Sequence, residues 1–296
     1  MSLLGDRPQP TDDLAELEAG LDALEAQRSE QTSRARKWWA ATWPPLVFLA
    51  LLVLVWQLVY DAHVVRPERL GSPSDTFSAL REQLRSGDLE EAAWNSVRRG
   101  ALGFAASLLI ATPLGLLVGR VKPVRRAVGP ILSGLQSLPS VAWVPASILW
   151  FGLSDATIYF VVLMGAVPSI ANGMVSGLDQ VPPLFLRVGR VLGARGLASA
   201  RYVLLPAALP GYVGGLRQGW AFSWRSLMAA ELITHSPDLG LGVGQLLDQA
   251  RELNDIAGVF AGIISILVIG IAVELCFFAP LERRVLRRRG LLAATV

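Results

Sequence analysis

Arg187, Arg190, Arg195 and Arg201 crowd one short stretch between two long apolar runs, with Gly193 and Gly196 among them and Pro206 and Pro210 beyond. A guanidinium offers a permanent charge and a fork of donors that fits carboxylates and oxyanions. The stretch has no histidine and no acid–base pair, so it is built to engage another surface rather than to catalyse. Arg225 is a second candidate, near the middle of the run "RQGWAFSWRSLMAAE" at 217–231. An arginine at the centre of a membrane span costs about 2.5–3.5 kcal/mol on insertion scales, so it must face a bundle interior or water. Gln218, Trp224 and Ser226 offer polar neighbours on the same run, and Gln136, Ser137 and Asn172 offer them on others. With Glu231 these form a candidate pathway for a small oxyanion such as a sulfonate, nitrate or carboxylate. Arg225 and Glu231 are six positions apart and point to different helix faces, so an ion pair within the helix is not expected. A pair across two copies of the chain is the structural alternative.

Other chemistries lack their residues. Cys276 is the single cysteine and lies in an apolar run, which excludes intrachain disulfides and cysteine-based zinc sites. His63 and His235 are far apart in sequence, so no metal site is expected. No Gly-x-x-x-x-Gly-Lys-Ser/Thr run occurs, so the chain has no P-loop for ATP. A membrane-embedded enzyme would need paired acids, a His–Glu pair or a serine with a base. Only Glu231 and Glu274 lie inside or at the edges of the apolar runs. No cofactor on this chain and no nucleic-acid partner are expected.

The elements that carry these residues follow from composition. The chain has 296 residues, 52% hydrophobic and 17% charged, whereas soluble domains average about 25% charged. Mean hydropathy is +0.45. An all-α integral membrane protein is predicted, with about six spans at 44–63, 99–119, 129–152, 156–176, 211–233 and 257–279. Pro130, Pro139, Pro145 and Pro168 interrupt the third and fourth. Such prolines are tolerated where neighbouring helices or a cavity satisfy the freed backbone groups. Lys and Arg gather at 28–37, at "RVKPVRR" (120–126), in the 187–210 stretch and at "ERRVLRRRG" (282–290). That bias places those segments and both termini in the cytoplasm, and the loops 64–98 and 234–256 outside. No cleavable signal peptide is expected, because the first forty residues are polar and acidic. Within them Thr11 can cap a helix whose Leu14, Leu17, Leu21 and Leu24 form a narrow seam, for the protein's own surface or a partner. In the first outer loop Ser74 or Asp75 can cap an interfacial helix with Phe77, Leu80 and Leu84 on one face.

The basic stretch itself parses as helix, bend, helix. Phe185, Val188 and Leu192 share a face, "GARG" (193–196) supplies the bend, and "LASARYVL" makes a second short helix that Pro206 ends. Gly193, then nine residues, then Val203 and the pair Leu205–Pro206 match a known spacing. It resembles the signature loop of permease subunits in bacterial ATP-binding-cassette importers, over about residues 95 to 280. "LQSLPSVAWVPASILWFGL" (135–153) and "LPAALPGYVGGLRQGWAFSWRSLMAAEL" (205–232) are similar to the branch for aliphatic sulfonates, taurine, nitrate or bicarbonate. The family usually opens the loop with Glu-Ala-Ala, and this chain has Arg187, Val188 and Gly189 instead.

The resemblance implies a type I importer permease fold. Together with the spans and the Lys and Arg bias, it predicts a chain divided into a cytoplasmic N-terminal helix (1–40), a first span with the outer interfacial helix (41–95), the permease core (96–282, coupling loop 184–206) and a basic cytoplasmic tail (283–296). It implies that Arg187, Arg190, Gly193, Ala194, Arg195, Gly196, Leu205 and Pro206 couple to an ATPase. The expected assembly holds two copies of the chain, two ATPase subunits that bind ATP and Mg, and a soluble or lipid-anchored binding protein. Its place would be the bacterial cytoplasmic membrane, in contact with lipids. The alternative reading is an ATP-independent carrier or channel; such carriers usually show repeated halves, and the 187–210 stretch has no counterpart elsewhere in the chain.

Overall fold

The computed structural model describes residues 34–66, 69–234 and 240–289, all helix, turn or loop with no strand among them. The Leu14–Leu24 seam, His235 and the last residues of the tail lie outside that set. The chain divides into two compact units that part after Val64. In the first unit, α1 (Arg34–Asp61) contains Pro44 and Pro45. From Leu46 to Leu49 its side chains are apolar and exposed on every side, as in a helix solvated by lipid.

The second unit opens with α2 (Pro73–Ser86), a helix at the place where the sequence predicts one. Its cap is Ser72, neither Ser74 nor Asp75: the Asp75 N–H donates to Ser72 Oγ at 3.0 Å, and Pro73 takes the first helical position. Gly87, at φ 86°, ends α2 and starts α3 (Asp88–Arg120). That second span therefore begins well before residue 99. The predicted third span is broken. α4 (Lys122–Ser137) stops before Pro139, a 3-10 turn covers Ser140–Trp143, and α5 (Val144–Phe151) starts afresh with Pro145 in its first turn. Proline cannot supply the N–H that would continue the ladder. α6 (Asp155–Asp179) keeps its Pro168 inside a continuous helix.

α7 (Pro183–Val191), a glycine-bounded turn, the short α8 (Leu197–Ser199) and a π-turn (Ala200–Leu204) lead into α9 (Leu205–Ile233). Pro206 does not end a helix there. It sits in the first turn of α9, directly after the π-turn. The N–H of Leu205 reaches back to Ala200 O, so the helical path runs on through the π-turn. Sequence reading left α10 (Val243–Glu252) inside an outer loop. It is amphipathic, with Val243, Leu246 and Ala250 buried. α11 (Ile256–Val273), a second π-turn (Glu274–Phe278) and α12 (Ala279–Arg288) are the last elements among the described residues.

Among the described residues, four helical stretches are long and apolar enough to cross a membrane: Thr42–Asp61, Asp88–Arg120, Asp155–Asp179 and Ile256–Arg288. The other two expected spans are the broken α4–α5 pair and α9, whose Arg217, Arg225 and Glu231 dilute its apolar character. α6 is the central helix of the second unit, packed along α9 on one flank and α3 on the other. Gly173 and Gly177 of α6 lie against Gly215 and Gly211 of α9 so closely that an added Cβ on any of them would strike the facing backbone. Small residues allow this approach, and dispersion then holds the helices together where lipid offers no hydrophobic drive.

Candidate functional site

The basic stretch projects from the bundle as a fixed elbow. Gly189 is buried, and a side chain there would meet Val203 at 2.7 Å, so α7 rests directly on the π-turn. The bend closes by backbone hydrogen bonds from Gly193 N to Arg190 O (3.1 Å) and from Ala194 N to Gly189 O (2.8 Å). Gly193 at φ 85° and Gly196 at φ 56° supply left-handed backbone that other residues adopt only with strain. Ser199, Ala200 and Leu204 are buried beneath, while Ala194, Leu205 and Pro206 are half-buried. The outer surface is apolar and basic together. Val191 is 86% exposed and Leu192 80%, beside exposed Leu184, Phe185 and Val188. Arg187, Arg190 and Arg195 are exposed among them. From Val181 to Ala230 the chain has no acidic residue to balance these charges.

A second feature lies where the broken third span meets α9. Gln136, Ser137 and Arg225 line a hollow of about 360 Å³, with Leu138, Val141 and Phe222 among its apolar walls and no carboxylate. The Arg225 guanidinium lies over the Phe222 ring, 4.5 Å from its centroid, and its Nε donates to Ala221 O at 3.3 Å. Asn172 donates to Gln136 Oε1 at 2.6 Å. That bond fixes the amide so that the Gln136 NH2 is the group left to donate. Ser226 is buried behind the hollow and hydrogen-bonded to Ser140 at 2.7 Å. Gln218 lies on the same exposed strip of α9 as Gly214, Ala221 and Arg225. Those four recur every three or four positions and so share one helix face.

Trp224 and Glu231 are not part of that strip. Successive residues turn about 100° around a helix, and both side chains face inward. Trp224 is buried and stacked on Trp220, with ring centroids 6.2 Å apart. Glu231 is fully buried near the C-terminal end of α9. Its carboxylate accepts from Ser96 Oγ at 2.9 and 2.7 Å, from Arg99 Nη1 at 3.2 Å and from Gly244 N at 3.1 Å. Ser96 Oγ also accepts from Val243 N at 2.9 Å. Arg99, 2% exposed, donates through Nε to Asp155 at the start of α6. Glu231 therefore has its counter-charge within the same chain, on α3. Gly242 and Gly244 lie directly against its carboxylate and Cβ, where any side chain would collide. Sequence reading missed Ser96, Arg99 and Asp155. The signal available was "GLGVGQ" (240–245), a glycine-spaced run of the kind that wraps a buried group.

Residues 111–287 match the family described as the binding-protein-dependent transport system inner membrane component. The chain belongs to that family. SsuC of Bacillus subtilis, named for aliphatic sulfonates transport, is 31% identical over 245 residues, covering 83% of this chain and 87% of that protein. The taurine transport system permease protein TauC of Escherichia coli is 29% identical over 264 residues, 85% of this chain and 93% of its own. The nitrate import permease protein NrtB of Synechocystis is 28% identical over 250 residues, 80% and 87% respectively. Among solved structures, an inward-facing MetNI methionine ABC transporter chain superposes with a TM-score of 0.54 at 21% identity, over 67% of this chain and 96% of that one. The all-helical core is thus the type I ABC permease fold. In this permease the matched region takes in the elbow, the hollow and the C-terminal end of α9, but begins after Ser96 and Arg99.

Proposed function

We propose that this permease is the membrane subunit of an ATP-driven importer that moves a small anion delivered by a binding protein. The observation that carries the reading is the elbow at α7. An exposed apolar tip held by backbone hydrogen bonds and ringed by arginines is a docking surface rather than a lipid or water surface. Its partner is the ATPase subunit, with Arg187, Arg190, Gly193, Ala194, Arg195, Gly196, Leu205 and Pro206 forming or shaping the contact. Two copies of the chain, related by twofold symmetry, enclose the pathway between them, and two ATPase subunits supply ATP and Mg chemistry from the cytoplasm.

The pathway runs along the α9 strip and the hollow, past Gln218, Arg225, Gln136 and Ser137, with Asn172 holding Gln136. Exposed faces of α3 and α11 carry large aliphatic residues such as Leu109, Leu117, Leu267 and Val268. The α9 strip carries glycine, alanine, glutamine and arginine instead. Within a bilayer such residues face protein or water. The lysine and arginine bias puts the elbow, α12 and both termini in the cytoplasm of a bacterial cell. Sulfonate, taurine, nitrate and bicarbonate, the solutes named for its relatives, are the candidate cargo class. The test is co-purification from membranes with the neighbouring cassette ATPase, followed by uptake in vesicles. Uptake that needs the ATPase supports the reading, and uptake by the permease alone makes it a carrier.

A further inference from the structure

The hollow at Arg225 carries more than a place on a pathway. Its lining has one full positive charge, one free amide NH2 and no acid. Arg225 is held at its Nε and against the Phe222 face, so its two terminal amino groups project as paired donors. That arrangement suits two oxygens of one oxyanion. The rest of the lining includes the apolar Leu135, Leu138 and Val141, and about 360 Å³ is the size of a site for a small organic molecule. A bare inorganic anion would meet the guanidinium and leave the apolar wall in water.

We propose that this hollow is a subsite for a short-chain organic oxyanion of the sulfonate type. Arg225 and Gln136 hold the head group, and Leu135, Leu138 and Val141 cover the aliphatic tail. The subsite selects for the tail as well as the charge, a selection independent of the binding protein. The proposal rests on the importer reading, which makes the strip a pathway.

The experiment uses the permease co-purified with its ATPase in nanodiscs, without binding protein, and measures direct binding of methanesulfonate, ethanesulfonate, butanesulfonate and nitrate. Each methylene buried on the apolar wall is worth roughly a fourfold gain in affinity, so affinity rises along the sulfonate series and nitrate binds weakest. Arg225→Gln loses a charge-assisted contact, which costs about tenfold or more in butanesulfonate affinity. Val141→Asp, at an exposed position, places a carboxylate in the hollow and abolishes binding without touching the core. Affinity that does not change with chain length, or nitrate competing as well as butanesulfonate, overturns the tail contact. Equal affinity of wild type and Arg225→Gln, or no binding at all, overturns the subsite. Failure of the ATPase to co-purify strikes the importer reading instead, and the binding series on the permease then stands or falls by itself.

Discussion

Glu231 gives the sharpest stability prediction. Replacing it with alanine leaves the Gly244 N–H without its acceptor and takes from the buried Arg99 its fully buried counter-charge, while Asp155 stays at 3.0 Å. Removing one partner of a buried pair costs about 3–5 kcal/mol, and the orphaned N–H adds to it within that range. Arg125 and Asp179 provide the internal control. They form a two-pronged pair at 2.7 and 2.6 Å, but both side chains are 45% exposed, so losing it costs little. Thermal unfolding of the purified permease should show Glu231→Ala lowered on the order of 10 °C, and Asp179→Ala by only a few degrees. The double replacement Arg99→Met with Glu231→Met removes both charges and should recover most of the loss, because apolar substitutes for a buried pair are close to neutral. Protease access to the 240–244 segment should rise in the single variant and fall back in the double. Equal, small shifts for Glu231→Ala and Asp179→Ala would refute the assignment of Arg99–Glu231 as the clamp joining α3, α9 and the start of α10.

Other outcomes follow from particular positions. Gly193→Val forces a β-branched residue to φ 85°, at about 1–3 kcal/mol of strain, and should leave the bundle folded while pull-down of the ATPase falls. Because the elbow is basic and acid-free, ATPase co-purification should weaken as salt rises, and Arg187→Glu should weaken it further at low salt. Gly173→Leu places bulk against the Gly215 backbone and should abolish folded permease in membranes, whereas leucine at the open Gly214 should be tolerated as a fold. For topology, a cysteine at Ser86 or Glu252 in a chain lacking Cys276 should react with an impermeant thiol reagent from outside, and one at Arg195 only after permeabilisation. Asp248, on α10 like Glu252, is buried beside Arg251, so it makes a poor reporter.

Long apolar runs were legible because a bilayer demands about 20 such residues whatever the tertiary contacts, and the glycine bend was legible because Gly193 and Gly196 have few other uses. Local rules failed where the competing groups were close in energy. Ser72, Ser74 and Asp75 are all competent caps, and Pro73 decides for Ser72 by filling the first helical turn. Pro206 reads equally well as the end of one helix or the start of the next, and the π-turn at 200–204 settles it as a start. α10 was hidden in a polar segment between spans, although Val243, Leu246 and Ala250 are spaced as a helix face. Contacts distant in sequence left little local trace: the glycine-spaced run at 240–245 marks a buried group without naming its partner. Nothing near Glu231 announces Arg99, 132 residues away, and a helix wheel alone does not say which side of α9 faces α6. That is why Arg225, Gln136 and Ser137 meet in one hollow while Trp224 and Glu231 turn into the core.

ATP-dependent uptake of radiolabelled butanesulfonate into proteoliposomes tests the central claim most directly. The vesicles would contain the permease with or without its ATPase, and the binding protein would be added outside. Uptake that requires ATP, the ATPase and the binding protein together, and that falls sharply in Gly193→Val, is the predicted result. Uptake of the same solute by the permease alone, unchanged by ATP or by Gly193→Val, would contradict it.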